Sequence, residues 1–228
     1  MNQIEDSPIT WTVSGLPKTL LSRTRRAYDR MSRVYGLTST VLHSRAHQHV
    51  VDHCGIQDGM RVLEVATGSG EMLRRIVRAN RNGTTLGVDL APRMAALAQR
   101  RTKRRYPDSA THCQAVDARN MPFRDGAFDA VICCYLLELL SAEDIVRTVD
   151  EFHRVLCSRG RLALVMIGED TAMFNRMYKV LGKVAPAFWG RQVEHRVPEL
   201  IASSDFRIVS ELVVRQAFYP SRVLLARK

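Results

Sequence analysis

Four carboxylates and two glycines are spaced as a ligand site would need them. In VLEVATGSGEM, residues 62–72, Glu64 precedes a turn holding Thr67, Gly68 and Gly70, and Glu71 follows it. Asp89 closes the run TTLGVD, 19 residues after Gly70, and Asp117 sits in QAVDARNMPF. Glycine tolerates sharp dihedrals and lets a ligand approach the backbone. A triphosphate-cradling loop would need a lysine soon after the second glycine, and here Glu71, Met72 and Leu73 follow. A dinucleotide turn would need a small residue where Leu73 stands, for close helix packing over a pyrophosphate. Glu64 and Glu71 would repel a pyrophosphate and suit an ammonium or other cation. A carboxylate placed like Asp89 accepts hydrogen bonds from both hydroxyls of a ribose, and one placed like Asp117 meets an adenine amino group. Taken singly, Asp89 and Asp117 read equally as turn or helix-cap carboxylates.

The elements that must hold these residues follow from hydrophobic periodicity. Buried-strand patterns cover 61–65, 85–88, 112–116, 130–134, 161–166, 206–214 and 222–226, and helical patterns separate the first five. Such alternation predicts an α/β chain with a doubly wound, mainly parallel sheet of seven strands and right-handed crossovers. The last two runs are joined only by a short turn at Tyr219, Pro220 and Ser221, which predicts an antiparallel C-terminal hairpin. Residues 168–204 hold two helical patterns broken near Pro186 and Pro198 and form a candidate substrate lid. Upstream, 18–35 reads as an amphipathic helix with Tyr28 and Tyr35 on its apolar stripe and Arg23, Arg26, Arg30 and Arg33 on a second stripe. It is a helical N-terminal cap or a segment that visits anionic membrane. The expected division is a tail and cap over 1–50 and a ligand-binding domain over 51–228.

A chain of 228 residues buries one substantial core, and its 46% apolar content fits a globular protein. The expected compartment is the cytosol, since the sequence shows no membrane span and no secretory signal. The five cysteines lack a CxxC spacing and predict reduced core thiols, with neither disulfides nor a metal site. A formal charge of +11 invites an anionic partner without choosing between nucleic acid and membrane. Part of it belongs to the end of one helix, at Arg100, Arg101, Lys103, Arg104 and Arg105, where cations suit the helix dipole.

Taken in order, VLEVATGSG, GVDLAPRM, VDARNMPF and FDAVICCYLLELL resemble the successive cofactor motifs of the class I S-adenosylmethionine-dependent methyltransferases, over roughly residues 20–228. The N-terminal AYDRMSRVYG and HRVPELIASSDF look similar to the quinone-biosynthesis C-methyltransferases and related phospholipid N-methyltransferases, although Gly36 and Asp205 depart from their pattern. The resemblance implies a Rossmann-like methyltransferase fold with S-adenosylmethionine as cofactor. It implies that the turn of Thr67, Gly68 and Gly70 meets the methionyl part, with Glu64 toward its ammonium, and that Asp89 clamps the ribose. Leu90 and Met94 would line the adenine, with Asp117 and Ala118 at its polar edge and Cys134 and Tyr135 bordering the site. Tyr35 and Tyr28 would close over it, or simply pack in the core.

Methyl transfer from a sulfonium is an in-line displacement that needs orientation more than a dedicated nucleophile. An amine or phenolic acceptor needs a base, for which Glu138, His43 and His195, with Arg196 beside it, are the candidates. The leading expectation is a methyltransferase acting on a small or lipid-like acceptor, a quinone-precursor ring or a phospholipid amine, with transient contact to anionic membrane. The alternatives are an RNA methyltransferase using the basic surface and a binding module that has kept the fold without the chemistry. The fourth strand lacks the NPPY or DPPY of base-amine methylation, and Cys133 and Cys134 lack a neighbouring proline, so nucleic acid has less support.

Overall fold

The computed structural model describes residues 44–168, 197–216 and 220–228. The helix read over 18–35 with Tyr28 and Tyr35, the base candidates His43 and His195, Arg196, and most of the 168–204 segment lie outside those residues. In chain order the elements are α1 (Ser44–His53), β1 (Arg61–Val65), α2 (Glu71–Ala79), β2 (Thr84–Asp89), α3 (Pro92–Arg105), β3 (Ala110–Ala115), β4 (Phe128–Cys134), α4 (Ala142–Val155), β5 (Leu156–Ile167), α5 (Val197–Ser203), β6 (Arg207–Val214) and β7 (Ser221–Arg227). A single 3₁₀ turn, Leu137–Leu139, follows β4.

The seven strands form one sheet in the order β3-β2-β1-β4-β5-β7-β6. The first five run parallel, and β7 pairs antiparallel with both β5 and β6. Each run read as a strand is a strand. The largest difference is at β5, which begins at Leu156 rather than near 161, with a register shift against β4 between Phe128 and Ala130.

Strand side chains alternate between faces, and each face buries its own set. Leu63, Val65, Val131, Leu162, Leu164 and Leu224 pack with Ile145, Val149 and Phe152 of α4 and Ile201 of α5. Val62, Ile132, Ala163, Val165 and Val223 pack with Ala46 and Val50 of α1 and Met72 and Ile76 of α2. Helix α1 therefore belongs to the core and crosses the division expected at 50/51.

The helix ends follow the usual chemistry. Ser141 Oγ accepts the N–H of Asp144 at 3.0 Å and caps α4, whose first turn holds Glu143 and Asp144 and whose last holds His153 and Arg154. Helix α3 starts on Pro92 and ends on Lys103, Arg104 and Arg105. Pro198 lies in the first turn of α5, where its missing N–H has no intrahelical partner to lose, so it helps to start this helix rather than breaking one.

Candidate functional site

Strand order reverses between β1 and β4, and crevices at such switch points, beyond the carboxyl ends of the strands, are where open α/β sheets bind ligands. Two non-glycine residues there hold left-handed backbone: Ala66, just past β1, at φ 63°, and Tyr135, just past β4, at φ 55°. Such conformations are sparsely populated for L-residues and concentrate at functional sites.

The turn after β1 is stitched to β2. Thr67 N–H donates to Val88 O at 3.1 Å, and Gly70 N–H donates to Thr67 O at 2.8 Å. Asp89 Oδ2 accepts the Gly68 N–H at 2.8 Å, while its Oδ1 accepts the Ala91 N–H at 2.9 Å. The two backbone donors fix the orientation of the Asp89 carboxylate at the mouth of the crevice. Gly68 has φ 50°, and a Cβ built there would meet nothing within 4 Å, so the turn offers open space at that point.

Gly70 is required for a different reason. At φ 78° its Cβ would lie 2.9 Å from the Cα of Ala98 in α3, so the absent side chain serves helix packing. Leu73 leaves no gap in the helix-to-strand seam. It is fully buried, and the small residue of that seam is Gly87 on β2, where a Cβ would lie 2.6 Å from Thr67 Cγ2 and 3.3 Å from Leu73 Cδ1.

The two glutamates of the turn differ sharply. Glu71 is neutralised by its own helix, through Arg74 at 2.5 Å and Arg75 at 3.3 Å. Glu64 is 2% exposed on the α1–α2 face, and its Oε2 is buried with no hydrogen-bond partner. Burial, and secondarily the charge of Asp89, raises its carboxyl well above the ordinary glutamate value. The Thr67 hydroxyl is likewise buried without a partner. A cation with hydrogen-bond donors, such as a ligand ammonium, would satisfy acceptors of this kind; a pyrophosphate would not.

Asp117 is bound to Arg119. Its carboxylate accepts the Arg119 N–H at 3.0 Å and the guanidinium at 2.9 and 2.7 Å, and Arg119 also reaches Asp144 at 3.1 Å. Burial would raise the Asp117 pKa, but the Arg119 hydrogen bonds override it and hold the carboxyl below the ordinary value. Arg119 was not singled out in the sequence; the signal was its place two residues after Asp117, within reach of an Asx-type turn.

Leu90 and Ala118 are half-buried at the crevice, whereas Met94 is 2% exposed and presents almost no surface to a ligand. Cys134 is half-buried beside the α1–α2 core. The Tyr135 hydroxyl lies 2.8 Å from Ser221 Oγ and accepts from Gln216 Nε2 at 3.1 Å, so this side chain borders β7 and the end of β6. Glu138 is 2% exposed, and its Oε1 accepts the Ile167 N–H at 2.6 Å, tying the 3₁₀ turn to the end of β5. The five cysteines are free, and burial pushes the thiols of Cys54 and Cys113 up to about 11 and about 12. Among the described residues no helix is long and apolar enough to cross a membrane, and no three metal-ligating side chains cluster.

Comparison with known proteins bears on this geometry. Residues 62–160 match the family model described as a methyltransferase domain. The ubiquinone/menaquinone biosynthesis C-methyltransferase of Citrifermentans bemidjiense is 28% identical over 201 residues, covering 83% of this chain and 81% of that protein. The demethylmenaquinone methyltransferase of Staphylococcus saprophyticus is 25% identical over 166 residues, 72% of this chain and 68% of that one. Among solved structures, the magnesium protoporphyrin IX methyltransferase of Synechocystis PCC 6803, with bound SAH, superposes with a TM-score of 0.72 at 21% identity, over 91% of this chain and 99% of that one.

Proposed function

The chain is a class I S-adenosylmethionine-dependent methyltransferase, and from that premise we propose that it methylates a ring carbon of a quinone precursor. The observation that carries this reading is the similarity, across 83% of the chain, to a quinone-biosynthesis C-methyltransferase. The phospholipid amine entertained from the sequence has no support from these relatives.

S-Adenosylmethionine supplies an activated methyl group on a sulfonium, so this chain's residues have to orient, desolvate and move protons. We assign the ammonium of the methionyl part to the buried acceptors Glu64 Oε2 and Thr67 Oγ1, and the space over Gly68 to its backbone. Asp89 takes the ribose hydroxyls, because a carboxylate offers about four acceptor sites and here stands with its plane fixed by two backbone N–H groups. Asp117, held by Arg119, and Ala118 and Leu90 border the adenine. The face of Tyr135 and the chain around Cys134 line the acceptor side, and Tyr28 and Tyr35 are further candidates for cofactor contact.

A phenolic acceptor attacks through carbon once it has lost its proton. Glu138 is buried and spends one oxygen on Ile167, which makes it a positioning residue for the segment after β4. His43 and His195 are then the candidates for the base.

Methyl transfer from labelled cofactor into a fractionated cell extract tests the reading. Label in the lipid-soluble quinone fraction, lost in Asp89→Ala, is the expected result. Label in RNA or in phospholipid would overturn it.

A further inference from the structure

At the opposite pole of the sheet, where the parallel strands begin, the start of β5, the start of β6 and the end of β7 enclose a shallow pocket. Its walls are Arg159, Asp205, Arg207, Arg227 and Lys228. Arg207 and Arg227 stand directly opposite each other in the β6–β7 register, and Arg161 follows opposite Arg227 on β5. Like charges at such positions destabilise a sheet unless something compensates them. Arg159, Arg207 and Arg227 form no ion pair among the described residues, and all three are exposed. Lys228 is already committed, since its ammonium donates to the carbonyls of His153 at 2.7 Å and Leu156 at 2.9 Å and so closes the end of α4. The three arginines are therefore surplus to the helix dipole. Asp205 still leaves the cations in excess.

We propose that this pocket is a binding site for a phosphate group, held by Arg159, Arg207 and Arg227. Guanidinium forks match the paired oxygens of a phosphate better than any other common side chain does, and a concave, cation-lined wall suits a compact dianion. The site is distinct from the methyl-transfer crevice: β7 runs seven residues from Ser221, which meets Tyr135 at the carboxyl pole, to Arg227 in the pocket, and so spans roughly 20 Å. The phosphate belongs either to a small soluble molecule or to a lipid headgroup.

Inorganic phosphate and pyrophosphate are the probes, titrated by calorimetry into the full chain saturated with S-adenosylhomocysteine, so that the crevice is filled. Sodium chloride at matched ionic strength is the control. Wild type should bind with measurable heat and an elevated melting temperature. In the Arg207→Gln/Arg227→Gln variant the affinity should be at least about tenfold weaker, the loss of one or more charge-assisted hydrogen bonds. That variant removes a like-charge pair, so it is expected to fold, and unchanged S-adenosylhomocysteine affinity verifies that it has. Co-sedimentation with phosphatidylcholine vesicles containing 30% phosphatidylglycerol, against phosphatidylcholine alone, then assigns the source. Arginine-dependent retention that phosphate competes away identifies a headgroup, and phosphate binding without retention identifies a soluble phosphate. Phosphate heat no greater than that of chloride, or equal binding by the variant, overturns the proposal.

Discussion

At the scale of single residues, the site turns on one carboxylate that the fold leaves uncompensated. Glu64 is buried with an orphaned oxygen, and its folded pKa lies above the ordinary 4.5. An acid with a raised folded pKa favours the folded state at low pH, and that contribution is lost as pH climbs from the unfolded value through the folded one. Glu64→Gln should therefore raise the stability of the cofactor-free protein at pH 7.5, by on the order of 1–2 kcal/mol in urea denaturation. It should also weaken S-adenosylmethionine binding at least about tenfold by calorimetry, because an amide offers the ammonium no charge. The glycines make a second pair of tests. Gly70→Ala drives a Cβ into the Ala98 backbone at a positive φ and should cost roughly 2–4 kcal/mol of stability. Gly68→Ala meets open space and should cost only about 1 kcal/mol, while losing most of the cofactor affinity.

At the scale of elements, β1 and β4 are fastened at both ends. Their carboxyl ends carry Ala66 and Tyr135 in left-handed conformations, and their amino ends are tied by Asp129, which accepts from Arg61 N and Nη2, both at 2.8 Å. The Arg61 guanidinium, followed by the opposing effect of burial, leaves the Asp129 carboxyl below its ordinary 3.8. A depressed carboxylate stabilises above its unfolded pKa and loses that contribution as pH falls through the folded value. Asp129→Asn should be less stable than wild type at pH 7, by roughly 1 kcal/mol, and the difference should vanish well below pH ~3.8, read from urea midpoints across that range. Asp205 explains a departure noticed in the sequence: it follows α5 at φ 59°, the left-handed position that glycine occupies with least strain.

For the whole molecule, the sheet separates two charge environments. Among the described residues, Glu64, Asp89, Asp117 and Glu138 lie toward the carboxyl pole, and Arg159, Arg207 and Arg227 wall the pocket at the amino pole. Ligand at the carboxyl pole is linked to global stability by mass action. S-Adenosylhomocysteine at 100 times its Kd should add about 2.7 kcal/mol, a rise of roughly 5–10 °C in Tm by calorimetry, and Asp89→Ala should abolish that rise without unfolding the protein.

Strand identity was legible because a strand buried on both faces must be a short continuous apolar run, and a crossover helix must separate parallel neighbours. The ordered motifs carried the cofactor for a related reason: the switch point fixes where the ends of β1, β2, β3 and β4 meet. Other features depend on neighbours distant in sequence, which no local pattern encodes. That Gly70 serves Ala98, that Gly87 accommodates Leu73 and that Glu64 Oε2 is buried without a partner are such features, whereas the pairing of Glu71 with Arg74 and of Asp117 with Arg119 is local and follows from spacing. The sequence by itself determined the elements, their alternation and the chemistry at the strand ends. Only the tertiary structure decided which charges are compensated, because compensation is a matter of distance: β7 inserts between β5 and β6 and so brings Arg227 opposite Arg207.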